Sequence, residues 1–219
     1  MRQTLHKVEW VRPPQQTRSQ ETLERILEAA EEVVAEKGLD NSTVSEIVRR
    51  AKSSVGAMYA RFNDKDALLS CLHQRFCEQA MATADTALDA TRWEDATIAE
   101  IFAEAIPFLV QVYHEKRGLI RAFIVRGGTD REFAEAAGRL GKHVSQRLTD
   151  LLLARRDEIN HPDPALAIDF GQRMMFDALD QATLYAGVER TAVQMSPEQL
   201  GAELIRAYLS YLGIELTNA

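Results

Sequence analysis

The sequence has few cysteine and aromatic residues, and it has no long apolar run. Its 219 residues include 2 cysteines, 6 prolines and 7% aromatic residues. Cys71 and Cys77 are too few for a disulfide framework, so a reducing cytoplasm is the expected compartment. A transmembrane helix needs about 18 consecutive apolar residues, and a secretory signal needs an apolar segment near the N-terminus. Both are missing, so we expect neither a membrane span nor export.

Acidic residues outnumber basic ones, but the two signs are unevenly distributed. The net charge is -7, from 26 basic and 33 acidic residues. Residues 1–80 hold 12 residues of each sign, so the acidic excess lies in residues 81–219. The segments 1–20 and 41–62 each have a net charge of +3. Since fields are screened over about 8–10 Å, this local positive charge permits a nucleic-acid partner despite the overall sign.

The pattern of apolar residues predicts an all-α protein. Apolar side chains recur at helical spacing from about residue 18 to about residue 213, and strand-like alternation is missing. Pro13-Pro14 and its polar neighbours predict an extended or disordered basic arm over residues 1–17. The last two long helices are predicted at about 164–186 and 197–213, each after a capping residue followed by proline.

Four helix starts are predicted in the first third of the chain. A capping box at Thr17 opens a helix that ends at Gly38, and Thr43 opens a short second helix. Ser54 can cap a third helix, and Asn63 can cap a fourth. Two short helices joined by a tight turn and packed under a longer one form a helix-turn-helix, whose second helix enters the DNA major groove.

The predicted third helix has the side chains that DNA recognition requires. Its first residues are small, which lets the end of the helix enter a groove about 12 Å wide. Nearby polar side chains can donate hydrogen bonds to phosphates. Alternatively, Tyr59 is a core residue with a surface hydroxyl, and Lys65, beside Asp64 and Asp66, is an ordinary solvated charge. The predicted DNA-binding residues are Thr43, Ser54, Val55, Gly56, Ala57, Tyr59, Arg61 and Lys65.

From about residue 20 to residue 72 the sequence resembles the tetracycline-repressor (TetR) family of bacterial transcription regulators. The resemblance rests on the order of Ile26-Leu27-Glu28-Ala29-Ala30, Gly38, Thr43-Val44, Ser54-Val55-Gly56-Ala57-Met58-Tyr59, Phe62 and Lys65-Asp66-Ala67-Leu68-Leu69. Two positions depart from the family pattern. Lys52 replaces a frequent glycine, and a left-handed lysine costs about 1 kcal/mol but adds positive charge near the DNA. Ala57 replaces a threonine, so this side chain can make only apolar contacts, for example with a thymine methyl group.

The resemblance implies a regulator with two domains. Residues 18–65 would form the helix-turn-helix domain, a fourth helix at about 63–81 would connect it, and residues 82–219 would bind an effector and dimerise. By the same resemblance, the protein is expected to be a cytoplasmic homodimer that represses transcription. A small, largely apolar effector would release it from a palindromic operator in double-stranded DNA.

Aromatic, methionine and charged side chains of the C-terminal part are the candidate effector residues. Core packing explains the apolar ones equally well. Asp169, Arg173 and Asp177, at i,i+4 spacing, can simply form a surface ladder of ion pairs. The predicted effector-binding residues are Phe102, Ile106, Tyr113, Phe123, His143, Arg147, Met174 and Asp177.

The dimer is predicted to form through the last two long helices. A helix-turn-helix makes a small contact, so useful specificity needs two half-sites and a two-fold partner. The predicted interface residues are Ala178, Ala182, Leu204, Tyr208 and Tyr211. The alternative is that this apolar stripe is intramolecular core.

Catalytic motifs are missing from the sequence. It contains no Gly-x-Ser-x-Gly, His-Glu-x-x-His, Walker or Gly-x-Gly-x-x-Gly motif. His73 and Cys77 could share a metal, but no second ligand pair is near, which favours packing. We therefore expect no enzyme activity, no cofactor and no metal site. The alternatives are a helical adaptor that has lost operator binding, which the positive segment 41–62 argues against, and an all-α enzyme, for which no clustered acid–base set is present.

Overall fold

The computed structural model describes residues 15–188 and 192–215, and within them the chain forms helices and turns without a strand. The predicted all-α class is therefore confirmed. The helices are α1 (Gln15–Asn41), α2 (Val44–Arg50), α3 (Val55–Tyr59), α4 (Lys65–Ala87), α5 (Ile98–Glu115), α6 (Arg117–Gly127), α7 (Arg131–Leu153), α8 (Pro164–Leu184) and α9 (Pro197–Leu212). The predicted arm, 1–17, lies outside the described residues except at its end, where α1 already begins.

Side-chain caps set most helix starts, as the sequence predicts. Thr43 accepts a hydrogen bond from the backbone N–H of Glu46, and Ser54 accepts one from that of Ala57. Asp163 and Ser196 cap α8 and α9 in the same way. The prediction for α4 is wrong by one residue, because Asp64 and not Asn63 has the extended backbone that an N-cap needs.

The chain has two hydrophobic cores. The first surrounds Ile26, Ile47 and Met58 of the first three helices, and it also includes Leu119, Phe123 and Phe133. The second packs α5, α7, α8 and α9 together. A boundary near residue 82 divides the sequence, but α6 and the start of α7 complete the core of the N-terminal part.

Two predicted interface residues belong to the second core. Tyr208 is 2% exposed, and its hydroxyl donates a 2.7 Å hydrogen bond to the backbone oxygen of Ile168. Its ring also lies 4.6 Å from that of Phe102. Leu204 is 9% exposed. The prediction that Leu204 and Tyr208 form the dimer surface is therefore wrong, because both hold α9 against its own subunit.

Within the described ranges, no helix combines the length and the hydropathy needed to cross a bilayer.

Candidate DNA-binding surface and effector domain

A tight turn joins α2 to α3 and fixes the angle between them. Lys52 lies in this turn with φ 48°, and among the described residues it is the one non-glycine residue with a positive φ. The N–H of Ser53 donates to the oxygen of Val48 at 2.9 Å, which closes the turn. Met58, 0% exposed, and Phe62, 8% exposed, anchor α3 in the first core. The predicted helix-turn-helix is present, with its left-handed lysine.

The opposite face of α3 is open to solvent. Ser54, Val55 and Gly56 are exposed at its start, and Ala57 is half-buried. The side chains of Val55 and Tyr59 are 45% and 52% exposed. Tyr59 is therefore a surface residue and not part of the core. The exposed Thr43, at the start of α2, completes the group of predicted DNA-binding side chains that face solvent.

Arg61 has a different environment from the one predicted. Its guanidinium donates to the backbone oxygen of Ala57 at 2.7 Å, and to the backbone oxygen and hydroxyl of Ser19 at 3.2 and 3.1 Å. These bonds tie the end of α3 to the start of α1. A guanidinium has five N–H donors, so a phosphate contact by the remaining donors of Arg61 stays a prediction.

Lys65 also binds the protein, but it keeps its charge near the surface. Its ammonium donates to the backbone oxygens of Leu39 and Ser42 at 3.3 and 3.2 Å. These two carbonyls lie between α1 and α2, so Lys65 joins α4 to that corner. An ammonium has three N–H donors, and two are used here. A phosphate contact by the third remains a prediction.

Acidic residues of α1 and α2 surround Arg50. Its guanidinium binds Glu36 at 2.6 Å through one nitrogen and pairs with Glu46 at 3.3 Å through the other. Lys37 also binds Glu46, at 2.6 Å. The hydrogen bond from Arg50 holds the pKa of Glu36 below its usual value, and that from Lys37 does the same for the pKa of Glu46. Arg50 is thus part of the packing of α1 on α2.

The structure does not bring the eight predicted effector residues together. Phe102 and Ile106, 1% and 3% exposed, are packed in the second core, whereas Phe123 lies in the first. Met174 is half-buried and Asp177 is exposed on α8. The prediction of a single lining group is wrong, because helical periodicity identifies a buried face without identifying the core it joins.

Three of the predicted effector residues make polar contacts between helices. On α7, His143 lies 2.9 Å from the Asp85 carboxylate at Nε2, and Arg147 pairs with the same carboxylate at 3.2 Å. Tyr113 of α5 donates a 3.1 Å hydrogen bond to Asp180 of α8. Burial raises the pKa of both Tyr113 and Asp180.

An open depression of approximately 390 Å³ lies between the C-terminal half of α4 and α5. It is lined by Ala82, Thr83, Thr86, Ala87, Arg92 and Phe108. The side chain of Phe108 is 49% exposed there. This site was not predicted. The signal in the sequence is that Phe108 falls outside the helical spacing of the buried residues of α5, such as Phe102 and Ile106.

Aromatic packing joins α4 to α6 and α7. The buried ring of His73 stacks on Phe133, with centroids 4.4 Å apart and planes 5° apart, and it lies 4.6 Å from Phe123. The thiol of Cys77 lies 3.5 Å from Nε2 of His73. Burial lowers the pKa of His73 to about 4. His73 and Cys77 thus contact each other within a closely packed cluster.

Ion pairs join α1 to the C-terminal part of the chain. Lys116, which precedes α6, binds Glu31 of α1 at 2.9 Å. Arg75 of α4 pairs with Glu31 at 3.4 Å and with Glu24 at 3.0 Å. Charged groups of α1, α4 and the start of α6 therefore form one network between the two parts of the chain.

Comparison with known proteins supports the same interpretation. The sequence model described as bacterial regulatory proteins, tetR family, matches residues 26–71. YvdT of Bacillus subtilis, an uncharacterized HTH-type transcriptional regulator, is 45% identical over 49 residues, which are 22% of this chain and 25% of YvdT. The matched part of this chain thus spans about a quarter of the length of YvdT. UidR of Escherichia coli, an HTH-type transcriptional regulator, is 25% identical over 157 residues, 63% of this chain and 79% of UidR.

The fold is shared with a solved regulator over most of both chains. The crystal structure of the transcriptional regulator FadR from Bacillus subtilis in complex with stearoyl-CoA has a TM-score of 0.61 and 22% identity, and the match covers 86% of this chain and 96% of the FadR chain. The helix-turn-helix and these similarities are typical of DNA-binding transcriptional regulators. The N-terminal part of this chain, residues 26–71, is thus similar to the tetR family of bacterial regulatory proteins.

Proposed function

We propose that this protein is a homodimeric repressor that binds a palindromic operator through α3 and releases it when a small, largely apolar effector binds. The observation that carries the proposal is the exposed face of α3. It presents small side chains and Tyr59 to solvent while Met58 and Phe62 hold the helix rigid. A rigid helix with small residues at its N-terminus fits the major groove, where base edges carry sequence information. The proposed repressor would act on DNA in the bacterial cytoplasm.

The effector is proposed to enter the depression between α4 and α5. The lining combines Ala82, Ala87 and the half-exposed Phe108 with the polar Thr83, Thr86 and Arg92, and polar groups of this kind can orient a bound small molecule. α4 is also the helix that leaves the helix-turn-helix domain. A ligand that wedges α4 from α5 would therefore change the position of α3, which is the differential binding that coupling requires. The complex of FadR with stearoyl-CoA supports an apolar effector by analogy.

The dimer is proposed to form through the solvent face of α8. Leu166 and Phe170 lie one turn apart on this helix and are 55% and 44% exposed. Ala178, half-buried, and Ala182, exposed, continue the helix with small side chains. Two copies of this helix packed across a two-fold axis would bury the exposed apolar groups and place two α3 helices on successive half-sites.

A gel shift against the DNA upstream of the protein's own gene tests the proposal. We expect a single shifted species that specific competitor removes and that a Tyr59→Phe substitution weakens. Addition of stearoyl-CoA as a probe should reverse the shift if apolar acyl effectors are recognised. A protein that leaves every upstream fragment unshifted would support the adaptor alternative.

A further inference from the structure

Two basic side chains at the end of α2 remain unpaired. The segment 41–62 contains four basic residues, of which Arg50 binds acidic residues and Arg61 binds backbone and hydroxyl oxygens. The side chains of Arg49 and Lys52 are exposed, and no hydrogen bond or ion pair is found for them among the described residues. Arg61 keeps its charge because its partners are neutral oxygens, but among the four basic side chains Arg49 and Lys52 are the two whose donors are all open to a partner within the described residues.

The two side chains project from one turn of backbone. The N–H of Lys52 donates to the oxygen of Arg49 at 3.2 Å. Lys52 lies two residues before Ser54, which caps α3. The N-terminal end of a recognition helix is the part that lies deepest in the groove, and the phosphates line the rim of that groove. Arg49 and Lys52 thus lie beside the entry point of α3.

The left-handed backbone of Lys52 indicates that its side chain has a functional role at this position. A left-handed conformation costs a lysine on the order of 1 kcal/mol, whereas glycine and asparagine adopt it more readily. No contact within the protein offsets this strain, because the ammonium has no partner among the described residues. Strained residues that persist are often found at functional sites.

We propose that Arg49 and Lys52, which we call the turn cations, bind backbone phosphates at the rim of the major groove that α3 enters. The inference rests on the proposed DNA binding and adds two residues to it. Phosphate contacts fix the register of the helix without reading sequence. They would add to any contact made by Arg61, part of whose guanidinium already binds Ala57 and Ser19.

The salt dependence of DNA binding tests the turn cations. The probe is a duplex selected from a random pool by the wild-type protein, and Kd is measured over a range of KCl concentrations. Each lost phosphate contact lowers the slope of log K against log[KCl] by about 0.9. We therefore expect Lys52→Asn and Arg49→Gln to flatten the slope by about 0.9 per subunit each. Asparagine tolerates the left-handed turn, so Lys52→Asn is expected to fold at least as stably as wild type.

The matched control is Lys142→Gln, which removes the same charge from an exposed position on α7. Its slope should equal that of wild type. A wild-type slope for both Lys52→Asn and Arg49→Gln would overturn the inference while leaving the proposed function intact. Failure of wild-type protein to select or bind any duplex would instead contradict the proposed function itself.

Discussion

A Cβ atom on Gly118 would lie 2.0 Å from the backbone oxygen of Ala35. Gly118 is in the first turn of α6 and Ala35 is in α1, so the backbones of the two helices leave no room here for a side chain between them. Beside this contact, Lys116 binds Glu31 at 2.9 Å. The C-terminal part of the chain therefore packs directly against α1, the longest helix of the proposed DNA-binding domain.

Gly118→Ala should force α6 away from α1, because the new methyl group meets backbone and not a flexible side chain. We expect a lower Tm and weaker operator binding. The control is Gly138→Ala on α7, where a Cβ would meet nothing within 4 Å. There the higher helix propensity of alanine should stabilise the protein by up to about 1 kcal/mol. Equal effects of the two substitutions in thermal unfolding would show that the close approach is unimportant.

Acid should weaken the fold through His73. The pKa of a free histidine is about 6.5, and burial lowers the pKa of His73 to about 4. Between these values the unfolded chain binds a proton that the folded chain does not, so the free energy of unfolding falls as pH falls from about 6.5 to about 4. His73→Phe, which keeps a ring against Phe133, should reduce this slope in urea titrations at several pH values. An unchanged slope would assign the acid sensitivity to other groups.

Lys65→Met should destabilise the protein, since it removes the side-chain donor to the Ser42 carbonyl and one of the two to the Leu39 carbonyl, which keeps the Ser42 hydroxyl. The expected loss is on the order of 1–3 kcal/mol in the free energy of unfolding. Lys142→Met serves as the control, because that exposed lysine makes no such bonds among the described residues. The salt slope of operator binding by Lys65→Met then reports separately on the predicted phosphate contact.

Phe170→Glu should convert the proposed dimer into monomers, because it places a charge on the exposed apolar face of α8. Phe170 is 44% exposed in one subunit, so the substitution should leave the monomer folded. Val125→Glu is the control, on α6, where Val125 is 59% exposed. Sedimentation should give twice the monomer mass for wild type and for the control, and the monomer mass for Phe170→Glu. A dimer that survives Phe170→Glu would place the interface elsewhere.

Local signals in the sequence predicted much of the fold. Thr43, Ser54, Asp163 and Ser196 cap the helices they were expected to cap, because a capping hydrogen bond spans only a few residues. The left-handed Lys52 was implied by the resemblance to the TetR family, whose pattern has glycine at that position of the turn. These features depend on neighbours in the chain and not on the tertiary fold.

Contacts between distant segments were the ones that sequence could not reveal. Arg61 binds Ser19 across 42 positions, and Lys65 binds Leu39 across 26. The same limit applies to Phe123 and Tyr208, whose periodicity predicts burial but not whether the partner is the other core, an effector or a second subunit. The candidate DNA surface was therefore predicted in outline, while its charged contacts had to come from the structure.

Selection of duplexes from a random pool tests the central claim, that the exposed face of α3 reads DNA as one half of a two-fold pair. If α3 reads DNA in a dimer, wild-type protein will enrich a palindromic sequence, and Val55→Thr will change the enriched bases. Tyr59→Phe should weaken binding without changing them, because a phosphate contact carries no sequence information. Enrichment of no sequence, or of the same sequence by wild type and by Val55→Thr, would contradict DNA recognition by α3.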